Sequence, residues 1–139
     1  MIVADSSVIY ALLDRRDGWH ERVAGWYERS TPELATTPLV LAEVDHLASA
    51  RLGRDAVVAW RQDLASDAYR VEWWSAGASE AAELASSYTD SGVSLTDASL
   101  VALASRIGTV EIATLDERHF RLLRPLTGEP GFRLVPLDS

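Results

Sequence analysis

Four acidic residues are spaced along the chain so that one site could contain them all. They are Asp5, Glu43, Asp97 and Asp116. Asp5 and Asp116 each close a largely apolar run, so each is predicted to be the last residue of a buried strand. Glu43 and Asp97 are predicted on the inward faces of helices. Four converging carboxylates repel one another unless a cation neutralises them, and oxygen ligands without Cys or His favour Mg²⁺ or Mn²⁺. The pattern predicts a metal-dependent phosphodiesterase.

Each strand-end aspartate has an alternative role as a helix cap. Asp5 precedes a predicted helix and could cap its free N–H groups, although Ser6 and Ser7 could do so without a charge. Asp116 precedes the segment that contains Arg118 and His119 and is a natural cap in the same way. Taken singly, neither residue identifies a catalytic site.

The two helical carboxylates are harder to explain structurally. Glu43 is predicted to lie half-buried on the apolar stripe of its helix, where an unpaired carboxylate costs several kcal/mol. Its alternatives are to extend to water or to pair with Arg51. Asp97 shares a face with apolar residues of its helix, and its alternative is to complement the helix dipole in the first turn. The case for one site depends on all four residues together.

Strand and helix patterns alternate along the whole chain. Strands are predicted at 2–5, Leu34–Thr37, Tyr69–Trp74, 110–115 and Phe132–Pro136. Helices are predicted at Ser7–Asp14 with a serine cap, Gly18–Ser30, Leu39–Leu52 after Pro38, Arg54–Ser66, Gly77–Ser91, Thr96–Ile107 with Thr96 as its cap, and Glu117–Leu123, and Pro125–Gly131 is predicted to be a loop. Such alternation predicts a parallel sheet with helices on both faces, whose ligands bind beyond the carboxyl ends of the strands.

The composition limits the class of protein. A length of 139 residues predicts a single domain, residues 1–139. No run of about 18 apolar residues suggests a membrane span, and the chain starts directly with a predicted strand, so we expect no signal peptide. The absence of cysteine is compatible with a cytoplasmic location.

The charge is unusual for a protein that handles nucleic acid. A formal net charge of −8 argues against passive adhesion to phosphate backbones. All 13 basic residues are arginine, the side chain best shaped for bidentate phosphate contacts, although nucleotide composition of the source genome explains the lack of lysine equally well.

Four blocks of sequence resemble PIN-domain ribonucleases, specifically the VapC-type toxins of toxin–antitoxin pairs. The blocks are Ile-Val-Ala-Asp-Ser-Ser at 2–7, Pro-Leu-Val-Leu-Ala-Glu-Val at 38–44, Leu-Thr-Asp-Ala-Ser-Leu-Val-Ala-Leu-Ala at 95–104, and Ala-Thr-Leu-Asp-Glu-Arg-His-Phe at 113–120. Their order and spacing match the family over nearly the whole chain. Leu115 departs from the aromatic residue that many relatives carry before the last aspartate.

The resemblance implies a fold and a set of site residues. It implies a three-layer α/β/α fold whose five parallel strands have the order 3-2-1-4-5. It implies that Asp5, Glu43, Asp97 and Asp116 bind one or two Mg²⁺ or Mn²⁺ ions for hydrolysis of RNA, with Ser6 and Thr114 as supporting hydroxyls. Arg118 and His119 are candidates for contacting substrate phosphate, although each could equally be a solvated surface residue.

The resemblance also implies partners. Toxins of this type are usually homodimers, and a VapB-type antitoxin places a basic side chain among the acidic residues. The tryptophans, which are Trp19, Trp26, Trp60, Trp73 and Trp74, could line a groove for an antitoxin helix or pack in the core. Trp73 and Trp74 are predicted to point to opposite faces of a strand.

Three other classes of protein compete with this interpretation. A receiver domain needs a lysine near its last strand, and this chain has none. An aspartyl-phosphate phosphatase needs a second aspartate two residues after the first, where Ser7 stands. A catalytically inactive relative that only binds RNA or protein remains an alternative.

Overall fold

Five parallel strands form one sheet through the centre of the protein. The structure, a computed structural model, describes all residues 1–139. The strands are β1 (Ile2–Ala4), β2 (Leu34–Thr36), β3 (Arg70–Val71), β4 (Glu111–Ala113) and β5 (Arg133–Val135). Their order is β3-β2-β1-β4-β5, and every neighbouring pair is parallel. The predicted sheet and its strand order are therefore confirmed.

Seven helices complete a three-layer α/β/α arrangement. They are α1 (Ser6–Leu13), α2 (His20–Ser30), α3 (Pro38–Arg51), α4 (Arg54–Ala65), α5 (Gly77–Ser87), α6 (Leu95–Ile107) and α7 (Glu117–Phe120). Helices in this position are expected, because a chain that leaves one strand must cross the sheet before it can enter a parallel neighbour. No helix combines the length and the apolar character needed to cross a membrane.

The two neighbouring strands β1 and β4 are deeply buried where they end. Val3 and Ala4 of β1, and Ile112 and Ala113 of β4, are inaccessible to solvent. They belong to one apolar cluster of 24 buried residues. The chain leaves β1 toward β2 on one side and returns to β4 on the other, so the strand order reverses between β1 and β4. A crevice beyond the carboxyl ends of these two strands is the expected place for a ligand.

All five predicted strands extend too far, and the third and fourth do so by three residues or more. The third strand was predicted over Tyr69–Trp74 but contains only Arg70–Val71, because β3 is an edge strand with β2 as its single neighbour. Trp73 and Trp74 lie beyond it with ring centroids 5.5 Å apart, so the predicted opposite orientation is wrong. Asp116 was predicted to end β4, but the strand ends at Ala113 and Asp116 is instead the N-cap of α7.

Three helix ends also differ from the prediction. Helix α6 is capped by Ser94 rather than Thr96, and Ser94 forms a reciprocal capping box with Asp97. Helix α1 starts at Ser6 after Asp5, and no side chain caps it. The helix predicted over Gly77–Ser91 ends at Ser87 and is followed by a short 3₁₀ turn. The other predicted ends agree with the structure to within three residues.

Candidate active site

One cleft brings together the four predicted acidic residues at the carboxyl ends of β1 and β4. Its volume is about 420 Å³, and its walls include the following residues: Asp5, Ser6, Ser7, Tyr10, Asp17, Trp19, Glu43, Leu47, Arg51, Asp97, Leu115 and Asp116. Clefts of similar volume occur elsewhere on the protein, so size does not single this one out. The charged groups of its walls distinguish this cleft, because five carboxylates and only one arginine line it.

Asp5 lies at the floor of the cleft, directly after β1, and is only 4% exposed. Thr114 and Ser7 donate hydroxyl hydrogen bonds to its Oδ2 atom, at 2.8 and 2.9 Å. Burial raises the pKa of Asp5 to about 6, and the hydrogen bonds from Thr114 and Ser7 oppose that rise. The alternative role of Asp5 as a side-chain cap for α1 is not used, because no such bond forms.

Thr114 connects the ends of the two central strands. Its side chain is fully buried, and besides donating to Asp5 it accepts a hydrogen bond from the backbone N–H of Asp116 at 3.0 Å. Ser7 makes a similar connection, since its Oγ donates to Asp5 and accepts from the backbone N–H of Leu115 at 3.0 Å. The sequence indicated Thr114 as a supporting residue but missed Ser7, although a serine two residues after the first aspartate could have suggested it.

Asp97 enters the cleft from the first turn of α6 and is 9% exposed. Its backbone N–H donates to Ser94 Oγ at 3.0 Å, and its Oδ2 atom accepts from the Ser94 backbone N–H at 3.3 Å. Burial is the largest cause that raises the pKa of Asp97, and the backbone hydrogen bond from Ser94 opposes it. The carboxylate therefore combines the two roles considered from the sequence, at the helix start and in the cleft.

Asp116 and His119 form a pair one helical turn apart at the rim of the cleft. Asp116 Oδ1 accepts from the backbone N–H of His119 at 3.1 Å, and Asp116 Oδ2 lies 2.9 Å from His119 Nδ1. The same nitrogen lies 3.6 Å from Asp97 Oδ2. One ligand atom from each of these three residues lies within 4.8 Å of the others. The i, i+3 spacing of Asp116 and His119 is the signal by which the sequence could have indicated this contact.

Glu43 lies on the open side of the cleft, and the prediction that it is half-buried is wrong. Helix α3 turns Val40, Val44 and Ala48 fully into the core, which leaves Glu43 beside that stripe and exposed. Ser6 Oγ donates to Glu43 Oε1 at 2.7 Å and lies 3.4 Å from Asp5 Oδ1. The pairing with Arg51 does not form.

The remaining predicted residue, Arg118, is exposed on α7 and forms no ion pair. It lies two residues after Asp116 and outside the set that lines the cleft. For His119, the Nδ1 atom faces the carboxylates of Asp97 and Asp116. Contact of either side chain with a substrate phosphate stays a prediction.

Comparison with known proteins identifies the family. The model of the PIN domain matches residues 2–124. Ribonuclease VapC26 of Mycobacterium tuberculosis is 36% identical to this chain over 138 residues, which are 97% of this chain and 100% of that protein.

Solved structures show the same fold. The crystal structure of VapC20 from Mycobacterium tuberculosis, described as a toxin that cleaves the sarcin–ricin loop, has a TM-score of 0.77 and 24% identity, covering 84% of this chain and 91% of that one. FitAcB from Neisseria gonorrhoeae has a TM-score of 0.61 and 19% identity, covering 86% and 91%. These two likenesses concern the fold, whereas the match to the PIN model and to VapC26 shows that the chain belongs to the PIN-domain family, as a VapC-type ribonuclease.

Proposed function

We propose that this protein is a Mg²⁺- or Mn²⁺-dependent endoribonuclease toxin, in which Asp5, Glu43, Asp97 and Asp116 form the catalytic site. The observation that carries the proposal is the burial of Asp5 and Asp97 in one cleft. Both are less than 10% exposed, and both have an elevated pKa because they are desolvated. Two desolvated carboxylates beside a third are unfavourable in the absence of a cation. A cation-binding role accounts for this arrangement.

The donor atoms fit a hard divalent cation. Carboxylate oxygens are the preferred ligands of Mg²⁺ and Mn²⁺, and the cleft contains no thiol. Asp97 and Asp116 would hold the ion together with Asp5, and Glu43 would complete the site from the solvent side. A bound divalent ion supplies activation of water and neutralisation of charge on the phosphate.

The protein's own contribution is to hold its carboxylates in place. Thr114 and Ser7 orient Asp5, and the capping box orients Asp97. His119 fixes Asp116 through its Nδ1 atom, and Ser6 fixes Glu43. Because Glu43 is exposed and bonded only to a hydroxyl, it is placed to orient the water that attacks phosphorus in line. The water oxygen forms a new bond to phosphorus and the P–O bond to the 3′ oxygen breaks. The water loses a proton and the leaving 3′ oxygen takes one up, which gives a 5′-phosphate and a 3′-hydroxyl.

The same charges support inhibition by an antitoxin. The cleft has five carboxylates and one arginine, so a basic side chain from a VapB-type antitoxin would be attracted into it and would compete with the metal. The wider proposal is a cytoplasmic toxin that forms a homodimer and is held inactive by its antitoxin. RNA and the antitoxin would then be alternative occupants of the cleft.

A cleavage assay tests the proposed function. Purified protein is incubated with total RNA in Mg²⁺ and in EDTA, and new 5′ ends are mapped. We expect 5′-phosphate ends with Mg²⁺ alone, and their loss in Asp97→Asn, which keeps the acceptor oxygen of the capping box. Asp90→Asn is the matched control, because it removes an equal charge from an exposed site outside the cleft.

Calorimetry separates an enzyme from an inactive binding module. The enzyme should bind Mg²⁺ and lose that binding in Asp97→Asn while circular dichroism shows that the variant remains folded. RNA binding without new 5′-phosphate ends would contradict the proposal and favour the inactive module.

A further inference from the structure

A second cleft lined by arginines adjoins the acidic cleft. It has a volume of about 610 Å³, lies between the end of α1 and the start of α4, and includes Arg15, Arg16 and Arg51 with two aspartates, Asp14 and Asp55. We call it the arginine groove. Arg51 lines both clefts. The segment 14–19 that connects α1 and α2 also borders both, so the two clefts form one continuous surface.

The three arginines of the groove are free to bind an anion. Four other arginines of the protein form ion pairs, namely Arg61, Arg70, Arg121 and Arg133. Arg15 and Arg16 form none, and both are exposed. The Arg51 guanidinium lies 5.7 Å from the ring centroid of Tyr10 and is also without an ion pair. A guanidinium without a carboxylate partner keeps donors that can bind a phosphate.

The segment that holds two of these arginines has a defined backbone. Asp14 Oδ1 accepts from the backbone N–H of Arg16 at 3.0 Å, and Asp17 Oδ1 accepts from that of Trp19 at 2.8 Å. The Asp17 backbone N–H also donates to the carbonyl of Asp14 at 3.0 Å. These turns fix the direction of the chain, so the arginines and Trp19 are held at the junction of the two clefts.

Trp19 supplies an aromatic surface at that junction. Its side chain lines the acidic cleft and is 40% exposed. Arg22 lies over its ring at 5.4 Å from the centroid. Exposed aromatic rings beside basic side chains are the elements with which proteins stack unpaired bases.

We propose that the arginine groove and Trp19 form a subsite for single-stranded RNA that flanks the scissile phosphodiester. Arg15, Arg16 and Arg51 bind backbone phosphates, and Trp19 stacks on a base next to the cleft. This inference depends on the proposed ribonuclease function. It also explains how a chain with a net charge of −8 attracts RNA, because the attraction is concentrated next to the cleft that performs the cleavage.

Binding measurements in a cleavage-deficient background test the subsite. The probe is a fluorescein-labelled single strand of about 12 nucleotides, titrated with Asp97→Asn protein in Mg²⁺ at several salt concentrations. Adding R15A/R16A should weaken binding about 10- to 30-fold near ~0.1 M salt and reduce the salt slope by about 1.4, since each phosphate contact to a single strand contributes about 0.7. R29A/R124A removes the same charge from two exposed arginines outside both clefts and should change affinity less than about twofold.

The proposed stacking contact is tested with two tryptophan variants, one inside the cleft and one outside it. Trp19→Ala should weaken binding at least about fivefold without changing the salt slope, because stacking releases no counterions. Trp73→Ala is the control, since Trp73 is 41% exposed and lies outside both clefts. Equal effects of R15A/R16A and R29A/R124A, or no RNA binding by the background protein, would overturn the subsite. If 5′-phosphate ends still form in the cleavage assay, the ribonuclease function survives that result.

Discussion

The acidic cleft has a buried half and an open half, which the protein builds in different ways. In the buried half, Asp5 and Asp97 are 4% and 9% exposed and have raised pKa values because of desolvation. In the open half, Glu43 is exposed and the Asp116 side chain is 32% exposed. Both halves are hydrogen-bonded, but only the buried half carries a large desolvation cost.

Under the proposed function, this difference predicts separate roles for the carboxylates of the cleft. A buried carboxylate that is costly to ionise is stabilised strongly by a cation, so Asp5 and Asp97 should dominate metal affinity. A solvent-facing carboxylate gains less from a cation but can reach water and substrate. Glu43 should therefore matter more for the rate than for metal binding.

Cleavage and Mg²⁺ binding should differ most between variants of the two halves. Asp5→Asn should reduce the cleavage rate at least ~1000-fold and abolish Mg²⁺ binding, because a buried ligand is lost. Glu43→Gln should reduce the rate about 10- to 100-fold while leaving measurable Mg²⁺ binding. Rates come from single-turnover cleavage and affinities from calorimetry.

Equal losses of Mg²⁺ affinity in the two variants would contradict separate roles for the buried and open carboxylates. Asp90→Asn serves as the charge-matched control in both measurements, because it is exposed and lies outside the cleft. Its rate and its Mg²⁺ affinity should equal those of the wild type.

The next effect concerns the stability of the metal-free protein. The pKa of Asp5 is about 6 in the folded state and 3.8 when unfolded. Below pH ~3.8 the carboxyl is protonated in both states and does not change the free energy of unfolding, whereas above pH ~6 its ionisation lowers that free energy by the full amount. Asp5→Asn should therefore raise the free energy of unfolding by up to about 3 kcal/mol at pH ~8. The gain should disappear toward pH ~4.

Denaturant unfolding in EDTA measures this difference at both pH values. Glu43→Gln, in the open half, should change the free energy of unfolding by less than about 0.5 kcal/mol. A metal-free Asp5→Asn protein that is less stable than the wild type at pH ~8 would show that the carboxylate is fully compensated by its hydroxyl partners.

The sheet could be predicted because its signals are local. An apolar run such as Ile2–Ala4 predicts a strand from its own residue types alone, and Pro38 marks the start of a helix. The family resemblance supplied the strand order. The edge strand β3 was overestimated, because pairing on one side depends on a neighbour that a local pattern does not reveal.

For the candidate site, the sequence indicated residues that meet in one cleft but not their environment. The sequence indicated which carboxylates to expect, yet placed Glu43 half-buried, since a stripe on a helical wheel does not fix how far the helix is rotated against the core. Ser7 and the contact of His119 with Asp116 were missed because hydroxyl and imidazole partners depend on side-chain placement after folding. These partners hold carboxylates of both halves in place.

The weakest predicted effect tests how a hydrogen bond offsets the desolvation of Asp5 in the buried half. Thr114→Val keeps the shape of a fully buried side chain but removes the hydrogen bond to Asp5 and the acceptor for the Asp116 backbone N–H, so it should cost about 1–2 kcal/mol. Since the bond from Thr114 opposes the rise in the pKa of Asp5, the cost should be larger above pH ~6 than near pH ~4.

Thr36→Val is the matched control, because Thr36 is equally buried and donates to the neutral carbonyl of Ala4 at 2.8 Å. Its cost should not depend on pH, and a parallel pH dependence in the two variants would show that Thr114 stabilises the strand ends rather than the charge of Asp5.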